Sequence, residues 1–246
     1  MQITRQHYEH APITEAIIAI ACDLPGEIEL EDLLKVHSAI KPEYPKRSEQ
    51  STVQFQVIEA QGKVSPTKVI GYHLSSEDGK RIIQVGLGGF VFSQLAPYDR
   101  WETLRSEARR IWDVYESVLH PRLITRTSVR YVNRIDIPNP GGSGIDLDVY
   151  FRTGPKIAPE LPQTMKTYFV RLELPVREPD KILIITETAV PSPDPGVVSS
   201  ILDLDVIVQN VNFDAADAWR VIEELRDDKN AAFEACITDA TRDLIK

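Results

Sequence analysis

The stretch Leu123-Ile124-Thr125-Arg126-Thr127-Ser128-Val129-Arg130-Tyr131-Val132-Asn133-Arg134-Ile135-Asp136-Ile137 decides the architecture. It is rich in β-branched residues and long enough to cross a sheet. Side chains of a strand point alternately to its two faces. Arg126, Ser128, Arg130, Val132 and Arg134 therefore share one face, and Thr127, Val129, Tyr131, Asn133 and Ile135 the other.

Just upstream, residues 100–119 read as a helix. Asp99 serves as N-cap, with Glu102 three residues later in capping-box spacing. Trp101, Leu104, Ala108, Ile111, Trp112, Tyr115, Val118 and Leu119 recur at helical spacing, and Pro121 closes the segment. Residues 28–40 read as a shorter helix. Further strands are expected at 13–22, 52–58, 69–74 and 81–87, the last two joined by a turn containing Asp78-Gly79. Gly86, Gly88 and Gly89 mark a bulge or tight bend rather than a phosphate loop, because no Gly-Lys-Ser/Thr ending follows.

Downstream, the loop from Pro138 to Gly144 divides the chain into halves 1–138 and 139–246, packed as one unit. The second half opens at residues 145–151. Strands follow at 167–174, 181–188 and 197–208, and then a helix capped by Asp214 that runs to the end, with a short interruption near Asp227-Asp228. The fold class expected is α+β: antiparallel sheets with long amphipathic helices packed on one face. Ile145-Asp146-Leu147-Asp148-Val149 echoes Leu202-Asp203-Leu204-Asp205-Val206, which allows two pseudo-duplicated halves.

The net charge of −9 disfavours contact with nucleic acid or anionic membrane, though it leaves room for a local basic groove. Cys22 and Cys236, the two cysteines, sit in apolar runs without the paired spacing of a disulfide framework or a zinc site. The N-terminal residues have no apolar signal core, and no window reaches the roughly 18 apolar residues of a membrane helix. A cytoplasmic location is expected. None of His7, His10, His37, His73 and His120 stands in a metal-protease frame, and no dinucleotide, nucleophile-elbow or cysteine-nucleophile pattern is present. No cofactor is expected.

Four stretches carry a family resemblance. They are residues 11–17 (Ala-Pro-Ile-Thr-Glu-Ala-Ile), residues 112–115 (Trp-Asp-Val-Tyr) with residues 128–135 (Ser-Val-Arg-Tyr-Val-Asn-Arg-Ile), residues 202–206 (Leu-Asp-Leu-Asp-Val), and residues 229–238 (Lys-Asn-Ala-Ala-Phe-Glu-Ala-Cys-Ile-Thr). Together the chain resembles the sporadically distributed, uncharacterised prokaryotic protein family of about 250 residues. The resemblance implies a prokaryotic protein and supplies no activity or catalytic residue.

Two constellations remain. Arg126, Arg130 and Arg134 form a cationic stripe whose guanidinium forks suit phosphate or carboxylate, or else pair with the protein's own acids, such as Asp203 and Asp205. Asp203 and Asp205, joined by Asp146 and Asp148 if that segment is extended, form a carboxylate set for a hard cation such as magnesium, with Glu15 or Glu173 as further ligands. Two functions follow. The first is a non-enzymatic binding or interaction module with a protein partner or a second copy of itself. The second is an enzyme or binding protein for a phosphorylated or anionic ligand, using the arginine face and the paired aspartates.

Overall fold

The computed structural model describes residues 8–246 apart from 53–54, 59–60, 65–67, 143, 177–179 and 193. In chain order the elements are β1 (Ile13–Asp23), α1 (Leu33–Ile40), β2 (Lys46–Thr52), β3 (Phe55–Ile58), β4 (Gln61–Val64), β5 (Lys68–Ser75), β6 (Arg81–Gly86), β7 (Gly89–Leu95), α2 (Trp101–Leu119), β8 (Leu123–Pro138), β9 (Phe169–Pro175), β10 (Lys181–Val190), β11 (Val197–Phe213), α3 (Ala215–Cys236) and α4 (Asp239–Leu244). Nine strands join in one antiparallel sheet ordered β2-β5-β6-β7-β1-β8-β11-β10-β9, and β3 pairs with β4 separately.

This corrects the expected class. The molecule is mostly one large antiparallel sheet, not a set of sheets dominated by long amphipathic helices, and the four helices are its minor part. The physical cause lies in two strands that are longer than hairpin strands usually are. β8 spans 16 residues and β11 spans 17, and they pair from Val197 opposite Pro138 to Phe213 opposite Ile124. That ladder crosses the loop at 138–144, so the strands of residues 1–138 and 139–246 lie in one sheet. The helix expected at 28–40 shrinks to a single 3-10 turn at 30–32 and the eight residues of α1. The duplicated-halves reading also fails at its echo. Residues 147–149 form a 3-10 turn, whereas 202–206 lie inside β11. The interruption expected near Asp227 is absent; α3 runs on to Cys236. The expected strand at 52–58 falls partly outside the described residues, as does His7.

Alternation along the central strands sorts the two faces. Ala16, Ile18 and Ile20 of β1, Val129 and Tyr131 of β8, and Val206 of β11 are buried against Trp112 and Tyr115 of α2 and Ile222 and Leu225 of α3. A second cluster joins Ile135, Ile137, Leu202 and Leu204 to Ala232 and Cys236 near the end of α3. At about 25 cal/mol per Å² of apolar surface removed from water, these contacts are the main force holding the sheet to its helices. On the opposite face, Arg126, Arg134, Asp203 and Asp205 are half-buried and Arg130 is exposed.

The glycines act locally. Gly89 closes the β6–β7 hairpin at φ 145°, and a Cβ there would lie 2.3 Å from the Ile20 carbonyl oxygen of the neighbouring strand. Only glycine permits that approach.

Candidate functional site

On the open face, the structure places the sequence-derived residues as follows. Arg130 lies opposite Asp205 in the β8–β11 register but reaches diagonally to Asp203. Its Nε donates to Asp203 Oδ1 at 2.8 Å and its Nη2 to Oδ2 at 2.6 Å. This two-pronged pair uses both carboxylate oxygens. Arg126 stands 4.0 Å from Asp205, whose Oδ1 is buried without a hydrogen-bond partner among the described residues. Burial holds the Asp205 carboxyl above its ordinary range, with Arg126 and Arg130 pulling the other way. Arg134 donates to Asp136 at 2.9 Å and to the Ser199 hydroxyl at 2.9 Å.

Each arginine of the stripe therefore faces an acid of the same chain. Arg126 lines an open depression of about 460 Å³ beside Gly88 and Gly89, and that depression excludes Arg130 and Arg134. Arg130 and Arg126 beside Asp203 and Asp205 set positive charge where a cation would sit. Asp146 and Asp148 belong to a 3-10 turn rather than a strand face, and Asp148 pairs with Lys156. Among the described residues no group of three or more His, Cys, Asp or Glu side chains gathers as metal ligands.

A different constellation forms on the helix-covered face. A cavity of about 610 Å³ opens between the entry to β1, the β7–α2 connection, β8 and α3. Such a volume suits a small metabolite. Strand alternation turns Tyr131 and Asn133 inward from β8. The β7–α2 connection brings Tyr98, whose hydroxyl meets the Tyr131 hydroxyl at 2.8 Å with the rings edge to face. The Asn133 amide is fixed by donating to the Leu202 carbonyl at 2.9 Å. Helix α3 supplies Arg226 and Lys229, three residues apart on one face.

Lys229 is the unusual member. It is 7% exposed, and its Nζ sits 3.5 Å from the centre of the Tyr131 ring. Among the described residues it has no carboxylate partner. Lys181 provides the comparison: equally buried at 7%, it reaches Asp228 at 2.9 Å. Burial, with Arg226 adding positive charge, pulls the Lys229 amine down to about 7. Taking an ammonium out of water costs several kcal/mol unless something compensates, and an aromatic face supplies only part of that.

The acids around the cavity are sorted differently. Glu234 is held by Arg242 and by the Tyr8 hydroxyl, each 2.9 Å or less away. Asp99 accepts from Thr103 at 2.8 Å, and Glu9 and Glu102 are exposed. Cationic nitrogen is thus inside and carboxylate at the rim or already satisfied. Arg226, whose side chain is 15% exposed, stacks over Trp101 at 5.5 Å and pairs with Asp227.

Glu187, fully buried on β10, is another charge-bearing core group without an ionic partner among the described residues. Thr153 donates to it at 2.9 Å and Tyr168 at 3.0 Å, and burial raises its carboxyl above the usual range. Its hydrogen bonds are satisfied and it lines neither cavity, so it reads as a structural group.

Sequence reasoning missed this site for an identifiable reason. Lys229 falls on the apolar stripe of α3, four residues after Leu225 and four before Phe233, and the expected helix break at Asp227-Asp228 hid that spacing. A lysine inside a core stripe, and an asparagine among Val129, Tyr131 and Ile135, were the available signals. Ala11 to Ile13, Tyr131 with Asn133, and Lys229, Asn230, Phe233 and Glu234 all line the cavity. Neither a protein-family model nor a curated protein matches this chain.

Proposed function

We propose that this protein is a non-enzymatic binding module whose cavity takes up a small anionic ligand, a carboxylate or phosphate on an apolar or aromatic body. The observation that carries this reading is Lys229, buried beside the cavity without a counter-charge among the described residues. An anion there would supply the missing partner, Arg226 would add a second cation, and the Tyr98, Tyr131 and Trp101 rings would hold the body of the ligand. Capture of an anion favours the charged amine, so binding raises the Lys229 pKa and takes up a proton at neutral pH. The rival reading, an anionic ligand on the arginine face, is less well supported because Arg130 already spends both donor prongs on Asp203. A cytoplasmic setting fits two free, buried thiols, and no helix among the described residues is long and apolar enough to cross a membrane. The family resemblance adds a prokaryotic source to this reading. The protein partner expected from the sequence belongs, in the same reading, at the sheet edge away from the cavity.

The test is a thermal-shift screen of carboxylates, sugar phosphates and nucleotides on the native chain, on Lys229→Met and on Arg130→Ala. A compound that raises the midpoint of the native and Arg130→Ala proteins, but not of Lys229→Met, supports the cavity. A shift lost only in Arg130→Ala transfers the site to the open face. No shift with any anion removes the proposal.

A further inference from the structure

The sheet ends in two edges of opposite character. At one end β2 reads Lys46-Arg47-Ser48-Glu49-Gln50-Ser51-Thr52, a polar run of the kind that protects an edge from pairing. At the other end β9 reads Phe169-Val170-Arg171-Leu172-Glu173-Leu174-Pro175. Phe169 is 68% exposed, Leu172 37% and Leu174 41%. An exposed apolar edge strand with free backbone groups is a template for another strand.

We infer that two copies of this chain pair antiparallel through their β9 edges about a two-fold axis at Leu172, extending both sheets into one. The register follows from the backbone. The ladder between β9 and β10 is closed by Val176 N–H to the Lys181 carbonyl and by Ala189 N–H to the Tyr168 carbonyl. In an antiparallel ladder such pairs recur every second residue, so 170, 172 and 174 also point their polar groups toward β10. Residues 169, 171 and 173 then direct theirs outward. A symmetric pairing must match outward residues with outward residues, which leaves axes at 171, 172 or 173.

Charge selects among the three. An axis at 171 sets Arg171 against its own copy, and one at 173 does the same for Glu173. Like charges directly opposite are destabilising. The axis at 172 sets Arg171 opposite Glu173 on both sides of the dyad. Within one chain these two already pair at 2.9 Å, so the dimer would close a four-membered ionic network. On the other face the same register puts Leu172 against Leu172 and Val170 against Leu174, covering the exposed Leu172 and Leu174, while Phe169 on the Arg171 face falls opposite Pro175. Isolated charges on an edge would guard it; this alternation makes the edge self-complementary under two-fold symmetry. A single strand pair buries little area, so the affinity belongs to the weak, micromolar class of interface.

Sedimentation of the full chain over about 1–100 μM tests the inference. A monomer–dimer equilibrium is expected. R171E and E173R alone should each weaken it about 10-fold, and the combined R171E/E173R variant should restore it, because reversed charges still oppose each other in this register alone. At the axis, a non-hydrogen-bonded pair brings Cα atoms to about 4.5 Å, within disulfide range. L172C, whose thiol would be exposed unlike Cys22 and Cys236, should therefore form a disulfide-linked dimer under mild oxidation. Circular dichroism identical to the native chain confirms that each variant is folded. A chain that stays monomeric throughout the range, a dimer indifferent to both single reversals, or an L172C protein that forms no cross-link overturns the inference. The cavity plays no part in these readouts, so this inference and the ligand proposal stand or fall separately.

Discussion

Lys229 shows how burial and charge are traded at a single residue. The unfolded chain keeps the ammonium up to about pH 10.5, whereas the folded protein releases its proton near pH 7. Between those values the unfolded state binds more protons, so this group makes stability rise with pH. Below pH 7 the full cost of a buried ammonium is present. Lys229→Met removes that cost with little change of shape. The variant should be more stable than the native protein by about 2–4 kcal/mol at pH 6, and the gap should close toward pH 10. Urea titrations at the two pH values check this, and a gap that does not change with pH would sink the argument. Asn133 was visible in the sequence as a polar residue on an inward strand face. Lys229 was on an apolar stripe too, but only the uninterrupted α3 makes that stripe continuous.

At the level of elements, β8 and β11 are joined by backbone bonds, by the Leu202, Leu204 and Val206 core, and by the Arg130–Asp203 pair. The Arg130 side chain is 44% exposed, so solvent screens the pair and its contribution is modest. A double-mutant cycle of Arg130→Ala and Asp203→Ala should give a coupling of about 1 kcal/mol that shrinks in high salt. A zero coupling would mean that the arginine is free to meet a ligand after all. That these residues share faces was legible from alternation in each strand. That Arg130 takes Asp203 diagonally, leaving an Asp205 oxygen unpartnered, depends on the β8–β11 register, which no local pattern contains.

Over the whole molecule, stability is set by position in the sheet. β1, β8 and β11 are paired on both sides and lie against α2 or α3, whereas β2 and β9 each have one neighbour among the described residues. Native-state hydrogen exchange should therefore find the slowest amides in β1, β8 and β11, and the fastest ladder amides at the two edges. The outward amides of Arg171 and Glu173 should gain protection as protein concentration rises, while the β2 edge should not. Equal protection across the sheet would contradict this ordering. The same layout keeps the ligand cavity, built from β8 and α3, away from the β9 edge.

By itself the sequence determined most strand positions, the two faces of β8, and the location of α2. These depend on residue period and turn chemistry within a few positions of the chain, whereas the cap expected at Asp99 falls at Arg100, without a side-chain capping bond. It also contained no P-loop, dinucleotide, nucleophile-elbow or metal-protease pattern. Only the tertiary structure decided that the strands of both halves form one sheet, because pairing β8 with β11 links residues about 70 positions apart through interchangeable backbone groups. It likewise moved the candidate site from the arginine face to Lys229. A charge on a surface strand is evident from its neighbours, but whether a buried charge has a partner is settled only when distant segments meet.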